Sequence, residues 1–282
     1  MLLSCIIFST MGGLIRYLSI LDLHPFMTAF IRTFIAIIVL SPTFYKAGLP
    51  GLKTTKIKLH LIRGLASGTA VICSFYAVTV IPLANATSYS FIAPLITTVL
   101  AVIFLNEKIH LPRITSVIIG FIGMLIVLRP GMTPFSSGVG ASLLAALSIA
   151  IAIICIRALS HTEKPNVIAI YSLLITLPFS FVFALFKWTW PTTEQWQILL
   201  LIGFCAAIAQ YSLSRAFSYS ETSAIMPIDF TRLLFAATIG YFYFDETPDI
   251  YTFIGATIIL GSAIYAAHRE SKQNITKPLA ND

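Results

Sequence analysis

Two charged residues stand three apart inside an otherwise apolar stretch, Asp229 and Arg232 in SAIMPIDFTRLLFAATIGYFYF. On a helix that spacing puts both side chains on one face. An acid and a base held together can grip a zwitterion or simply lock to each other, and both readings stay open. A carboxylate beside a guanidinium is held ionised, which makes Asp229 a poor proton carrier near neutral pH. Arg16, close to Tyr17 and Gly12-Gly13, suits a carboxylate or phosphate, since a guanidinium binds either in a fork. Gln210, Tyr211 and Arg215 add polar groups in a second apolar stretch, where Gln210 and Ser214 are four apart and share a face. Ser88 and Tyr89 do the same with Asn85, and Tyr76 ends a third stretch. Taken singly, each of these is equally an interhelical hydrogen bond or a turn cap. Together Asp229, Arg232, Arg16, Tyr76, Tyr89, Ser88, Gln210, Tyr211 and Arg215 form the candidate substrate-binding set. Arg32 competes evenly between a binding role and snorkelling to headgroups.

Other chemistries lack their residues. The sequence holds no phosphate-binding glycine loop, no H-E-x-x-H and no plausibly spaced Ser/His/Asp set. Cys5, Cys73, Cys155 and Cys205 sit singly in apolar segments, as buried thiols do. His24, His60, His110, His161 and His268 fall at segment ends and read as surface residues. No metal, cofactor or catalytic residue is expected, and the chain does not read as an enzyme.

The elements that carry these residues follow from composition. Of 282 residues, 57% are hydrophobic and only 10% charged, against roughly 25% charged in soluble domains. So few charges cannot cover a water-facing surface. About ten segments of about 20 residues are long enough to span a bilayer, and the first begins at the N-terminus without a cleavable leader. The expected class is an all-α integral membrane protein of ten transmembrane helices. The net charge of +7 comes in clusters. Lys46, Lys53, Lys56, Lys58 and Arg63 gather at one loop, and Arg269, Lys272 and Lys277 follow the last segment. That asymmetry marks cytoplasmic loops and places both termini inside. It gives no support to a nucleic-acid partner.

An internal repeat organises the spans. Phe75 to Glu107 returns 139 residues later as Ser214 to Glu246, with Asn106-Glu107 falling on Asp245-Glu246 and Tyr76 on Arg215. Residues 1–131 form one five-helix unit, 138–268 a second, and 269–282 a polar cytoplasmic tail. Five is odd, so the second unit enters the bilayer inverted. Inverted repeats surround a central site near mid-membrane and rock to move a solute. Pro94 and Pro227 interrupt the fourth and ninth helices, and carbonyls freed beside a cavity can be met by substrate or water. Glu107 and Glu246 end those helices as caps or gates. Helix 4 is expected over about 85–105 and helix 9 over about 223–244.

Several stretches resemble the drug/metabolite transporter superfamily of EamA type over nearly the full length. They are Arg16 and Pro25 at the first turn, Arg32, the run SFIAPLITTVLAVIFLNE from Ser90 to Glu107, Gly120 with Gly123, and Asp245-Glu246. The resemblance implies ten helices in two inverted halves, a central cavity, transport of small metabolites such as amino acids, and a bacterial inner membrane. Helix 9 departs from the common pattern, with its proline at Pro227 where the repeat would place one near Leu233. There, through Pro227, Asp229, Phe230 and Arg232, it looks more like the S-adenosylmethionine uptake carriers of intracellular bacteria. The expectation is thus a secondary transporter for a small polar solute, working by exchange or facilitated alternating access. The alternatives are an intramembrane lipid-modifying enzyme and a membrane scaffold that transports nothing. The partners are a small-molecule substrate and the lipid bilayer. Substrate identity, direction, coupling and oligomeric state are not legible.

Overall fold

The computed structural model describes residues 2–47, 54–105, 111–129, 136–160, 162–219, 231–246 and parts of 250–265. Its helices are α1 (Leu2–Ile20), α2 (Pro25–Ala47), α3 (Ile57–Val80), α4 (Leu83–Ser90), α5 (Ile92–Leu105), α6 (Leu111–Leu128), α7 (Ser137–Ser160), α8 (Pro165–Leu185), α9 (Thr193–Tyr219) and α10 (Arg232–Phe244). No strand occurs among the described residues. In hydrocarbon each backbone N–H and C=O must be satisfied within its own segment, and the helix does this. Pro25 and Pro165 open α2 and α8, where a missing N–H costs nothing. Pro82 closes α3 by holding Ile81 extended at φ −122°, ψ 160°. Among the described residues, α1, α2, α3, α7 and α8 are long and apolar enough to cross a membrane.

The fourth helix is interrupted, and the break falls ahead of Pro94. It breaks at Phe91 into α4 and α5. Pro94 has no N–H to give the carbonyl of Ser90, so the helix loses its hydrogen-bond ladder there. Residues 220–230, with Pro227 and Asp229, lie outside the described residues, and α10 begins at Arg232 after a turn at Thr231. Glu107 also lies outside them.

Chain directions follow from the contacts. The α3 residues Gly64 and Gly68 meet Ile175 and Phe179 of α8 in the same order, so α3 and α8 run parallel. The start of α7 at Gly138 meets the end of α3 at Val80 and Ile81, so α7 runs antiparallel to α3. Ser9 meets Arg232, Gly13 meets Ile239 and Arg16 meets Glu246, so α1 and α10 run parallel. Phe26, near the start of α2, stacks edge-on against Phe183, near the end of α8. At Gly64 a Cβ would stand 2.5 Å from Ile175 Cβ, so glycine is what lets α3 and α8 touch. The core joining these helices includes Met11, Ile15, Leu18, Met27, Ile35, Phe75 and Ile202.

Candidate functional site

The arrangement leaves a cavity of about 280 Å³ between α1, α3, α4 and α7, close to the lower end of small-molecule pockets, about 300 Å³. Sequence spacing explains which faces line it. On α3 the lining residues are Arg63, Ser67, Ala70, Ser74 and Ala77, and on α7 they are Ser142, Ala145, Ile149, Ala152 and Ile156. Both follow the three-and-four spacing of one helical face. The small side chains make the space, and the hydroxyls of Ser9, Ser67, Ser74, Thr87, Ser90 and Ser142 give it polarity.

Three arginines from three helices line it, Arg32 of α2, Arg63 of α3 and Arg232 at the start of α10. Arg63 is 1% exposed. Its Nη1 donates to the Ile168 carbonyl of α8 at 2.5 Å. Arg32 is 9% exposed, with its guanidinium 5.4 Å from the centre of the Phe75 ring. The Nε of each, and the Ser142 hydroxyl, have no hydrogen-bond partner among the described residues. Arg232 Nη2 donates to Ser90 Oγ at 2.8 Å, and its own carbonyl accepts from Ser9 Oγ at 3.0 Å. Its guanidinium stands 5.9 and 5.8 Å from the centres of the Phe8 and Phe91 rings. The break after Ser90 in one half thus meets the start of α10 in the other. No Asp or Glu occurs among the described lining residues. Buried donors with nothing to bond are costly, and an anion would satisfy them: a carboxylate or phosphate matches the guanidinium fork.

The sequence-predicted residues divide. Arg232 reaches the cavity. Asp229 lies outside the described residues. Gln210, Tyr211 and Arg215 lie on α9 with side chains outside the described residues, as is the Pro94 side chain on α5. Ser88 is fully buried and donates to Ala84 in its own helix at 2.8 Å. Tyr89 packs with Phe91, Met124 and Leu233, on the side of α4 away from the cavity. The cavity face of α4 carries Thr87 and Ser90 instead. Tyr76 shares a 3.0 Å hydrogen bond with Ser137 outside the cavity.

Arg16 lies away from the cavity lining. It forms an ion pair with Glu246 Oε1, which also accepts the Leu83 N–H at 3.0 Å. The local geometry comes from Asp245, which ends α10 in the left-handed region at φ 53°. That turn lets the Glu246 N–H return to the Gly240 carbonyl at 3.1 Å. It aims the carboxylate at α1 and α4, and the Phe244 ring sits 5.0 Å from the Arg16 guanidinium. One carboxylate therefore ties three helices at one end of the bundle.

Two residues read as surface groups are buried. Arg63, grouped with the basic loop, is a cavity residue, because α3 begins at Ile57 and Arg63 already lies in its second turn. His60 is 0% exposed, covered by Tyr171 of α8 at a ring distance of 4.5 Å. The available signal was the pattern Arg63, Ser67, Ala70, Ser74, a polar and small stripe too regular for a loop.

The EamA-like transporter family model matches residues 1–129 and again 136–267. An S-adenosylmethionine uptake transporter of Rickettsia conorii is 33% identical over 250 residues, 89% of this chain and 85% of that one. A riboflavin transporter of Brucella anthropi is 29% identical, covering 86% and 88%. A pseudopaline exporter of Pseudomonas aeruginosa is 26% identical, covering 91% and 90%. A solved crystal structure shares the fold with a TM-score of 0.72 at 17% identity, over 96% of this chain and 98% of that chain. Two matches to one family model, which together take in most of the chain, make this a multi-pass membrane protein of the EamA-like transporter family.

Proposed function

We propose that the chain is a secondary transporter that carries a small carboxylate-bearing metabolite across a bacterial inner membrane by alternating access, with S-adenosylmethionine as the leading candidate. The observation that carries this is the convergence of Arg32, Arg63 and Arg232 on one cavity, two of them with buried Nε groups awaiting an acceptor. The carboxylate of an amino-acid moiety would bind there, and Phe8 and Phe75 offer faces for an aromatic base. Asp229, three residues before Arg232, would hold the cationic end of a zwitterion. The relatives' substrates support a cavity that takes metabolites of this size. Substrate changes readily within one fold, so the arginine set is the firmer guide.

In this reading ten spans form two inverted units, 1–131 and 138–268, with a cytoplasmic tail at 269–282 and both termini inside. The antiparallel course of α7 and the parallel course of α8 relative to α3 support the inversion. A site between such halves serves alternating access by rocking. The bilayer and the solute are the partners.

The test is uptake and counterflow in proteoliposomes against S-adenosylmethionine, amino acids and nucleotide-sugars. Saturable counterflow of one solute, lost in Arg63→Gln, is the expected result. No movement of any solute by correctly folded protein would return the enzyme and scaffold alternatives.

A further inference from the structure

At the end of the bundle opposite Arg16 and Glu246, a second polar cluster lies outside the cavity lining. His60 sits in the first turns of α3, fully buried, and neither ring nitrogen has a hydrogen-bond partner among the described residues. Its Nε2 is 4.0 Å from Glu163 Oε1. Glu163, in the turn between α7 and α8, is 11% exposed and accepts from Thr54 Oγ1 at 2.6 Å. Arg63 follows His60 by three residues, so the two stand on one face of α3. Among the described residues the charged groups that act on His60 are Glu163 and Arg63, and the Tyr171 ring of α8 packs against it.

We propose that His60 and Glu163 form a proton-binding site whose occupancy is linked through Arg63 to an anion in the cavity. The partly exposed Glu163 carboxylate meets water at this end. A proton taken up there passes to His60 Nε2 after a side-chain rotation closes the 4.0 Å gap. The product is an imidazolium facing a carboxylate, with one N–H bond formed and one O–H bond broken. A positive Arg63 opposes that charge. An anion bound to Arg63 cancels the opposition, so anion and proton bind better together than apart, and by linkage each raises the other's affinity to the same degree. The link to cargo rests on the transporter reading, whereas the proton site does not. Exchange was the expectation while Asp229 was the acid considered. His60 and Glu163 supply a proton path that does not use it.

Two measurements test this on the full chain. In detergent-purified protein labelled with ¹³C-histidine, His60→Gln identifies the His60 signal. That signal is expected to move with pH. Its midpoint should rise by about one pH unit in Arg63→Gln and fall in Glu163→Gln, the size expected of one unit charge at a few ångströms in a protein interior. A His60 signal that does not titrate, or that neither variant moves, overturns the proposal. In proteoliposomes, wild type should show S-adenosylmethionine counterflow and accumulation under a pH gradient. His60→Gln and Glu163→Gln should keep counterflow and lose the response to the gradient. Counterflow with an unchanged gradient response in both variants overturns the link to cargo. If wild type moves no S-adenosylmethionine, the proposed substrate has failed, and the histidine titration alone still decides the proton site and its coupling to Arg63.

Discussion

The two ends of the bundle use similar residues to opposite effect. At one end Arg16 meets Glu246, and the same carboxylate oxygen takes the Leu83 N–H, so α1, α4 and α10 are held by one group. At the other end Arg63 and His60 are more deeply buried, yet Arg63 Nε and both His60 nitrogens lack partners among the described residues. A paired charge at the rim serves the fold. Buried donors without acceptors cost stability and persist where something else supplies the acceptor. On the proposed reading the Arg16 end serves stability and the Arg63 end serves binding, and each half of that reading can be broken separately.

The largest effect is expected from Arg63→Gln. Removing a charge that pairs with a buried anion costs about 2–5 kcal/mol, which is roughly a 30-fold to several-thousand-fold loss. Counterflow should fall accordingly, while the melting temperature of ligand-free protein holds or rises, because an incompletely bonded buried charge has been removed. A large fall in melting temperature with unchanged transport would reverse the assignment.

Glu246→Gln should do the opposite. Losing the ion pair and weakening the acceptor for Leu83 N–H should cost about 1–3 kcal/mol, read as a lower melting temperature in detergent. Arg16→Gln combined with Glu246→Gln should cost less than the sum of the single changes, since both report one interaction. Full additivity would show that the pair does not act as a unit.

Much of the fold could be read in advance, because a span needs only length and apolarity. The break at Phe91 was half legible: Pro94 announces an interruption, but only the structure shows that it falls before the proline and puts Ser90 against Arg232. The site was less legible. Ser88 and Tyr89 are more conspicuous than Thr87 and Ser90, yet helix rotation alone decides which pair meets the cavity, and packing of Tyr89 with Met124 and Leu233 sets that rotation. Arg63 and His60 looked like loop residues because lysines precede them. Burial there depends on where α8 crosses α3, and Gly64 and Gly68 record the crossing without showing which side chains it covers.

Gly240→Ala sharpens the same comparison with a smaller change. A Cβ at Gly240 would overlap Glu246 Oε2, so the carboxylate that holds Arg16 must shift. Overpacking of this kind costs about 1–3 kcal/mol, and a flexible side chain that can yield keeps it near the low end. Gly261→Ala, where nothing among the described residues lies within 4 Å, should be neutral. Equal melting temperatures for the two variants would show that the left-handed turn at Asp245 does not depend on Gly240 for the aim of Glu246.

The smallest effect belongs to His24, in the turn before α2. Its Nδ1 accepts the Phe26 N–H at 3.3 Å, a bond that only the neutral ring can make. Burial, and then the nearby Lys187, lower its pKa below 6.5. The folded state therefore binds the proton less readily than the unfolded one. The stabilisation is present above the unfolded value and is lost as pH falls through 6.5 towards the folded value. Because the ring is partly exposed, solvent screens the charge, and less than about 1 kcal/mol is at stake. Melting curves of wild type from pH 8 to 5 should show this loss, and His24→Asn should flatten it, because an uncharged cap has no proton to gain. A wild-type slope that survives in His24→Asn but disappears in His60→Gln would move the acid sensitivity from the Arg16 end to the Arg63 end, where a proton is expected to report on the cavity.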